Sequence, residues 1–328
     1  MLKQDELSEI RSGEPINHFL LLTKFEEKTT RAGKSYLDLE LGDKSVRLPA
    51  KMWDNINQAK QNLDAGIIVK VSGTMDTFNE QFQIKVDKIR AVKKGDNVDI
   101  EDLMPKSIRD INEMKSELND FIDSVNDKHL NQLLKLILSG EYFEKYIRVP
   151  AGKAWHHAYV HGLLEHTLEI IKICDLMCSF HEELNHDLLI TAAILHDFGK
   201  TEELSTNATF DYTDKGKLIG HIVIAAIHIE KNAGQIDGFP EDLKNQLIHL
   251  VLSHQGKLEH ASPVEPKTVE AIALYHADEL SAKTNAYKQA VYSEKVGESN
   301  WTRFLPLAGT SLMIPKQNDK EEFNETLF

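Results

Sequence analysis

The spacing of apolar residues changes once along the 328 residues, and that change limits the fold to two unlike parts. In the segment KSYLDLEL (34–41), Leu37, Leu39 and Leu41 recur every second position, which places them on one face of a strand. Runs at 17–26, 45–53, 67–73 and 81–92 read the same way, with a short helical stretch, DNINQAKQNL, after the third. Five strands with one helix after the third suit a small Greek-key barrel of the oligonucleotide/oligosaccharide-binding (OB) kind. From KKGDNVDIEDLMP onward, glycine, acids and Pro105 punctuate the chain and helical periodicity takes over. The fold class expected is therefore multidomain α and β: a five-stranded OB-like barrel over residues 1–95, a linker with connecting helices over 96–140, and an all-α domain over 141–300. A tail over 301–328 has no strong period and is expected to be extended or partly disordered.

Charge follows the same division. A net charge of −14 taken whole argues against nucleic acid, yet residues 1–100 hold sixteen basic and sixteen acidic side chains, so the acidity belongs to the helical part. The beginning, MLKQDELSEI, is charged, and no apolar run approaches the roughly 18 residues that span a bilayer, so a cytoplasmic protein with no membrane partner is expected. The two cysteines, Cys174 and Cys178, lie four apart on one expected helix and read as core thiols rather than a disulfide framework.

Thirteen of the fifteen histidines fall between His156 and His276. Among them, the apolar helix LLITAAIL runs directly into His196 and Asp197 in HDFGK, where a buried, unpaired carboxylate is costly without a compensating charge. His166, His221, His254 and Asp278 sit on other expected helices or at their ends, among apolar neighbours. A lone histidine on an apolar face is more often a satisfied core residue; the recurrence argues for ligands. Imidazole with carboxylate suits Mn²⁺, Fe²⁺, Co²⁺ or Zn²⁺, and six such side chains are enough for two ions sharing a carboxylate. Gly199 reads as the residue that lets the chain leave the helix.

The order His, His-Asp, His, His, Asp resembles the HD-domain metal-dependent phosphohydrolases over residues 150–290. With the OB-like part in front, the segments HHAYVHGLLEHTLEI, AILHDFGK and LVLSHQGKLEHASPVEPKTVEAIALYHADEL resemble the YhaM family of 3′-to-5′ exoribonucleases from Gram-positive bacteria. That resemblance implies two divalent ions, manganese first among the candidates: His166, His196, Asp197 and Asp278 around one, and Asp197 bridging to a second held by His221 and His254. Solvent activated by the metals is then the nucleophile, and nucleoside 5′-monophosphates are the products. Lys200 is expected to offset phosphoryl charge, or else only to face the helix dipole. A loop is expected to bring His156 and His157 to the mouth of the site, to contact phosphate or protonate a leaving group, with a surface or packing role as the alternative. His161 and His276 are weaker candidates, and Glu165 and Glu279 are read as outer support or solvated.

Substrate is read from the barrel. Tyr36, Trp53, Phe78 and Phe82 are interleaved with Lys24, Arg31, Lys34 and Lys51, as a base-stacking groove with phosphate cations requires, although each aromatic alone also suits a core. Single-stranded RNA, and DNA as well, is the expected partner, with self-association into a homo-oligomer a further expectation. The Gly-Tyr-Pro signature of the cyclic-dinucleotide branch is missing after His254. Relatives of the YhaM kind often carry a second histidine and a glycine where this chain has Gln255 and Ala261, which bears on substrate positioning. The competing readings are an HD-type nucleotide phosphohydrolase with a regulatory or oligomerising N-domain, and a binding protein whose HD site has degenerated.

Overall fold

The barrel strands follow the alternation of the sequence. In the computed structural model, which describes residues 3–60, 63–79, 81–153, 156–205, 210–293, 299–306 and 308–315, they are β1 (Pro15–Thr29), β2 (Ser35–Gly42), β3 (Arg47–Met52), β4 (Ile67–Phe78) and β5 (Gln81–Ala91). The helix α1 (Ile56–Lys60) lies between β3 and β4 in the chain. The strands close in the order β1-β2-β3-β5-β4, antiparallel throughout except where β3 meets β5. That parallel seam is short, pairing only Ala50, Lys51 and Met52 with Ile84, Lys85 and Val86. Leu37, Leu39 and Leu41 point into the barrel with Leu20, Leu22, Val69, Val71 and Ile84, all buried.

Chain contacts divide the molecule after Lys106. The helical unit begins with α2 (Ile111–Ser124) and α3 (Lys128–Ile137), each capped by an aspartate, Asp110 and Asp127, that accepts from the first free backbone N–H groups. Both helices come from the stretch read as linker with connecting helices. Their buried faces, Met114, Leu118 and Ile122 with Leu130, Leu133, Leu134 and Ile137, belong to the main helical core. That core continues through α5 (Gly162–Phe180), α6 (His186–Leu195), α9 (His221–Ala233), α10 (Glu241–Ser253) and α11 (Val269–Ser293), with the shorter α4 (Gly140–Tyr146), α7 (Lys200–Glu203) and α8 (Asp214–Ile219) between them. Every residue of LLITAAIL is buried, so α6 is central, and Tyr146 locks its end by donating to the Ile194 carbonyl at 2.8 Å. Cys174 is buried and Cys178 packs against the same core, both as free thiols.

Of the tail, residues 299–315 contain isolated bridges between Trp301 and Met313 and between Leu305 and Thr310; the expectation for 316–328 falls outside the described residues. Among the described residues no helix is long and apolar enough to cross a membrane.

Candidate metal centre

Because α6 is buried on all sides, its C-terminal end delivers His196 and Asp197 into the interior, 0% and 3% exposed. Asp197 is the hub. Its Oδ2 faces His196 Nε2 at 3.3 Å and His166 Nε2, from α5, at 3.9 Å. Its Oδ1 faces His221 Nε2 at 3.4 Å and His254 Nε2, just beyond α10, at 3.7 Å. Asp278 on α11 completes the first side, its Oδ1 3.1 Å from His166 Nε2. All six ligand candidates therefore meet at one place, in two groups that share a carboxylate.

The protons on these rings can be located by elimination. His196 Nδ1 lies 2.8 Å from the Ala193 carbonyl and His254 Nδ1 2.6 Å from the Val251 carbonyl; a carbonyl only accepts, so each Nδ1 carries hydrogen. His221 Nδ1 donates to the Glu203 carboxylate at 3.0 Å. His166 Nδ1 donates to Ser281 Oγ at 2.9 Å, because the Ser281 hydroxyl proton is directed to Glu169 Oε2 at 2.6 Å. With Nδ1 committed as a donor, each ring is left with Nε2 facing carboxylate oxygen. The Nε2 atoms of His166, His196 and His221 and Asp197 Oδ1 are buried without any hydrogen-bond partner. Lone pairs gathered around a carboxylate in a dry interior repel unless cations lie among them, and imidazoles held through Nδ1 by carbonyl or carboxylate are the usual state of metal ligands. The residues fit divalent metal.

The charges respond accordingly. Burial opposes ionisation of Asp197, but Lys200, His196 and His221 outweigh it and hold the carboxyl well below the usual carboxylate range. Desolvation pushes His166 well down and His254 down to about 4, both toward the neutral ring a metal requires. His196 moves upward: burial works against its charged form, but the adjoining Asp197 carboxylate prevails.

Two expectations are corrected here. Gly199 does not end the helix through an unusual backbone conformation; α6 already ends at Leu195, and Gly199 is right-handed, at φ −60° and ψ −17°. Its missing side chain matters because a Cβ would lie 2.0 Å from the His221 carbonyl oxygen, so glycine permits α9 to reach the HDFGK turn. His157, expected beside His156 at the mouth, is fully buried, with Nε2 3.4 Å from Glu169 Oε1. His156 does line the mouth, a cavity of about 240 Å³ that also reaches Asp197, Lys200, His254, Gln255, His260 and Asp278. Burial and the neighbouring His166 and Lys200 lower His156 to about 2. Lys200 bends back to donate to Asp197 Oδ2 and to the Ala151 carbonyl.

The weaker candidates lie further out. His161 sits before α5 with Nδ1 on the Ile147 carbonyl; His276 is exposed, its ring tilted 40° to that of Tyr275; Glu165 accepts from Tyr159; Glu279 pairs with Lys283 at the cavity rim. Glu169, Ser281 and Glu203 were missed by sequence reading. The first two stand three residues beyond His166 and Asp278, one turn along the same helix faces, which is the signal that marks them.

On the barrel, Tyr36 and Trp53 stack at 4.6 Å between centroids with planes 24° apart. Lys51 Nζ lies 5.7 Å from the Tyr36 ring and 5.4 Å from the Phe78 ring, and Lys34 Nζ 5.9 Å from Trp53. Phe78 and Phe82 flank the β4–β5 turn, 58% and 49% exposed, so neither is a core residue. Lys24 differs: Asp38 at 3.0 Å and Glu26 at 3.3 Å already neutralise it, while Arg31 is exposed on the β1–β2 turn.

Comparison with known proteins matches the HD domain family over residues 163–283 and the OB-fold nucleic acid binding domain family over 22–92. The chain is 32% identical over 286 residues to the 3′-5′ exoribonuclease YhaM of Geobacillus sp. (strain WCH70), covering 87% of this chain and 88% of that protein. It is 31% identical over 286 residues to the 3′-5′ exoribonuclease YhaM of Bacillus subtilis (strain 168), covering 87% and 90%. Against the protein of the same name from Oceanobacillus iheyensis the identity is 33% over 288 residues, covering 87% and 90%.

Proposed function

Since the chain belongs to the YhaM 3′-5′ exoribonuclease family, we propose that it removes nucleoside 5′-monophosphates one at a time from the 3′ end of single-stranded RNA, and of DNA as well. The observation that carries this reading is the shared carboxylate of Asp197, with unpartnered imidazole nitrogens on both of its sides. Two divalent cations, Mn²⁺ first, fit that donor set: His166, His196 and Asp278 with Oδ2, and His221 and His254 with Oδ1. Bound there, they would supply Lewis acidity that acidifies solvent and offsets phosphoryl charge.

The chain's own residues do the rest. Asp197 holds the two groups in register through its two oxygens, and Lys200 fixes the plane of its carboxylate. His156, kept neutral by burial at the rim, would accept a hydrogen bond from the substrate. Water adds to phosphorus, the bond to the 3′-oxygen of the preceding nucleotide breaks, and that oxygen takes a proton, leaving a 3′-hydroxyl end. The 2′-hydroxyl has no part in this balance, so no cyclic phosphate forms. On the barrel, the Tyr36–Trp53 stack with Lys51 and Lys34 offers unpaired bases an aromatic face and phosphates a cation.

A 5′-labelled single-stranded 20-mer with Mn²⁺ should give a descending ladder, and a blunt duplex of the same strand should stall. Internal fragments, cyclic-phosphate ends or decay from the 5′ end overturn the reading. Consumption of free nucleotides with RNA left intact would favour a nucleotide phosphohydrolase instead.

A further inference from the structure

The four imidazoles around Asp197 are not held alike. His196 and His254 each donate Nδ1 to a backbone carbonyl three residues earlier, and His166 donates to a hydroxyl. Only His221 donates directly to a carboxylate. Glu203, 8% exposed at the end of α7, receives two protons from it on a single oxygen: Oε1 lies 3.0 Å from the backbone nitrogen of His221 and 3.0 Å from ring Nδ1. His221 is the first residue of α9, and Gly220 before it sits at φ 78° with no side chain to cap the helix. Glu203 therefore does the capping from another element, and the oxygen that anchors the start of α9 also sets the plane and tautomer of the ring. The Nε2 lone pair is left facing Asp197 Oδ1.

From this geometry we infer that Glu203 is the positioning residue of one half of the centre, tightening the site of His221 and His254 while leaving the site of His166, His196 and Asp278 unaffected. A carboxylate on Nδ1–H makes the opposite nitrogen a stronger donor to metal than a carbonyl does, and it carries a full negative charge close to that site alone. Its neighbour Glu202 faces elsewhere, toward His228, Tyr142 and Lys215, and has no such role. The inference rests on the two-cation reading above.

Titration of the metal-free full chain with Mn²⁺ alone, followed by calorimetry, tests it without reference to catalysis. The unaltered chain should take up two ions. Glu203→Gln keeps the shape and an acceptor oxygen but removes the charge, and should weaken one ion by about 10- to 100-fold with the other within about twofold. Glu203→Asp keeps the charge but withdraws it by one methylene, and should show the same one-sided loss. Glu202→Gln should bind both ions as the unaltered chain does. Unchanged affinities in both Glu203 variants, or an equal fall in both ions together with a lower melting temperature, would overturn the inference and mark Glu203 as a helix cap only. Uptake of fewer than two ions by the unaltered chain would instead refute the two-cation reading itself.

Discussion

Replacing Gly199 by alanine adds one methyl group and should disable half the centre. Backbone conformation is not the obstacle, because φ −60° and ψ −17° suit alanine, which is favoured over glycine in helical geometry by about 1 kcal/mol. The obstacle is contact. The added carbon would lie 2.0 Å from the His221 carbonyl oxygen, 2.7 Å from its carbon and 2.8 Å from its Cα, all backbone atoms that no rotamer change can move aside. Restoring ordinary van der Waals separation moves the start of α9 by more than about 1 Å. Metal–ligand distances tolerate only about 0.2 Å, so His221 leaves the group around Asp197 Oδ1. Overpacking of this kind costs about 1–3 kcal/mol of stability, too little to unfold a typical domain, whereas a misplacement of about 1 Å at a catalytic centre costs about 100-fold in rate. Gly199→Ala should thus remain folded by circular dichroism, lose one Mn²⁺ site by calorimetry, and degrade labelled RNA about 100-fold more slowly. Near-normal rates with both ions bound would refute the close-approach account of this glycine.

Three further outcomes are expected. Asp197→Asn, which weakens both sites, should reduce hydrolysis more than His254→Ala, which empties one; equal losses in a side-by-side assay would argue against a shared carboxylate. Tyr36→Ala or Trp53→Ala should weaken single-stranded RNA binding by about 1–3 kcal/mol in fluorescence titration with no change in Mn²⁺ uptake, and unaltered affinity would remove the aromatic face from the substrate path. Ala261 occupies the left-handed region at φ 66°, a conformation that strains a Cβ by about 1–2 kcal/mol; set against the roughly 0.4–1 kcal/mol that glycine loses through chain entropy, Ala261→Gly should be neutral to stabilising by about 1 kcal/mol in denaturant unfolding, and a clear destabilisation would contradict this.

The cluster around Asp197 was legible because each of its residues sits on a helix, or at the end of one, whose apolar pattern announces burial, and a histidine or aspartate in such a place calls for an explanation. The strands were legible by alternation for the same reason: Leu37, Leu39 and Leu41 are all inside. What sequence reading missed depends on contacts between distant segments. Gly199 looked like a helix terminator because the segment that crowds it begins some twenty residues later, at His221. His157 and His156 are adjacent, yet a left-handed backbone at His157, φ 43°, sends one ring into the core and leaves the other at the rim. Lys24 looked like a phosphate cation until β2 brought Asp38 beside it. That the helices at 111–137 join the main helical core does not follow from their amphipathic pattern, which alone does not say which core a face joins.

The three-residue seam between β3 and β5 has a kinetic side. Each of the other strand pairs in the barrel is longer, and most of its backbone hydrogen bonds are backed by neighbours on both sides along the ladder. Ala50–Met52 and Ile84–Val86 lack that reinforcement beyond one residue, so the seam is the least braced pairing of the barrel. The barrel should therefore breathe there first, its amides at the seam exchanging with solvent ahead of those in the long β4–β5 ladder. A cylinder that opens along one line becomes a curved sheet whose remaining strand pairs stay intact, so the domain can loosen without coming apart.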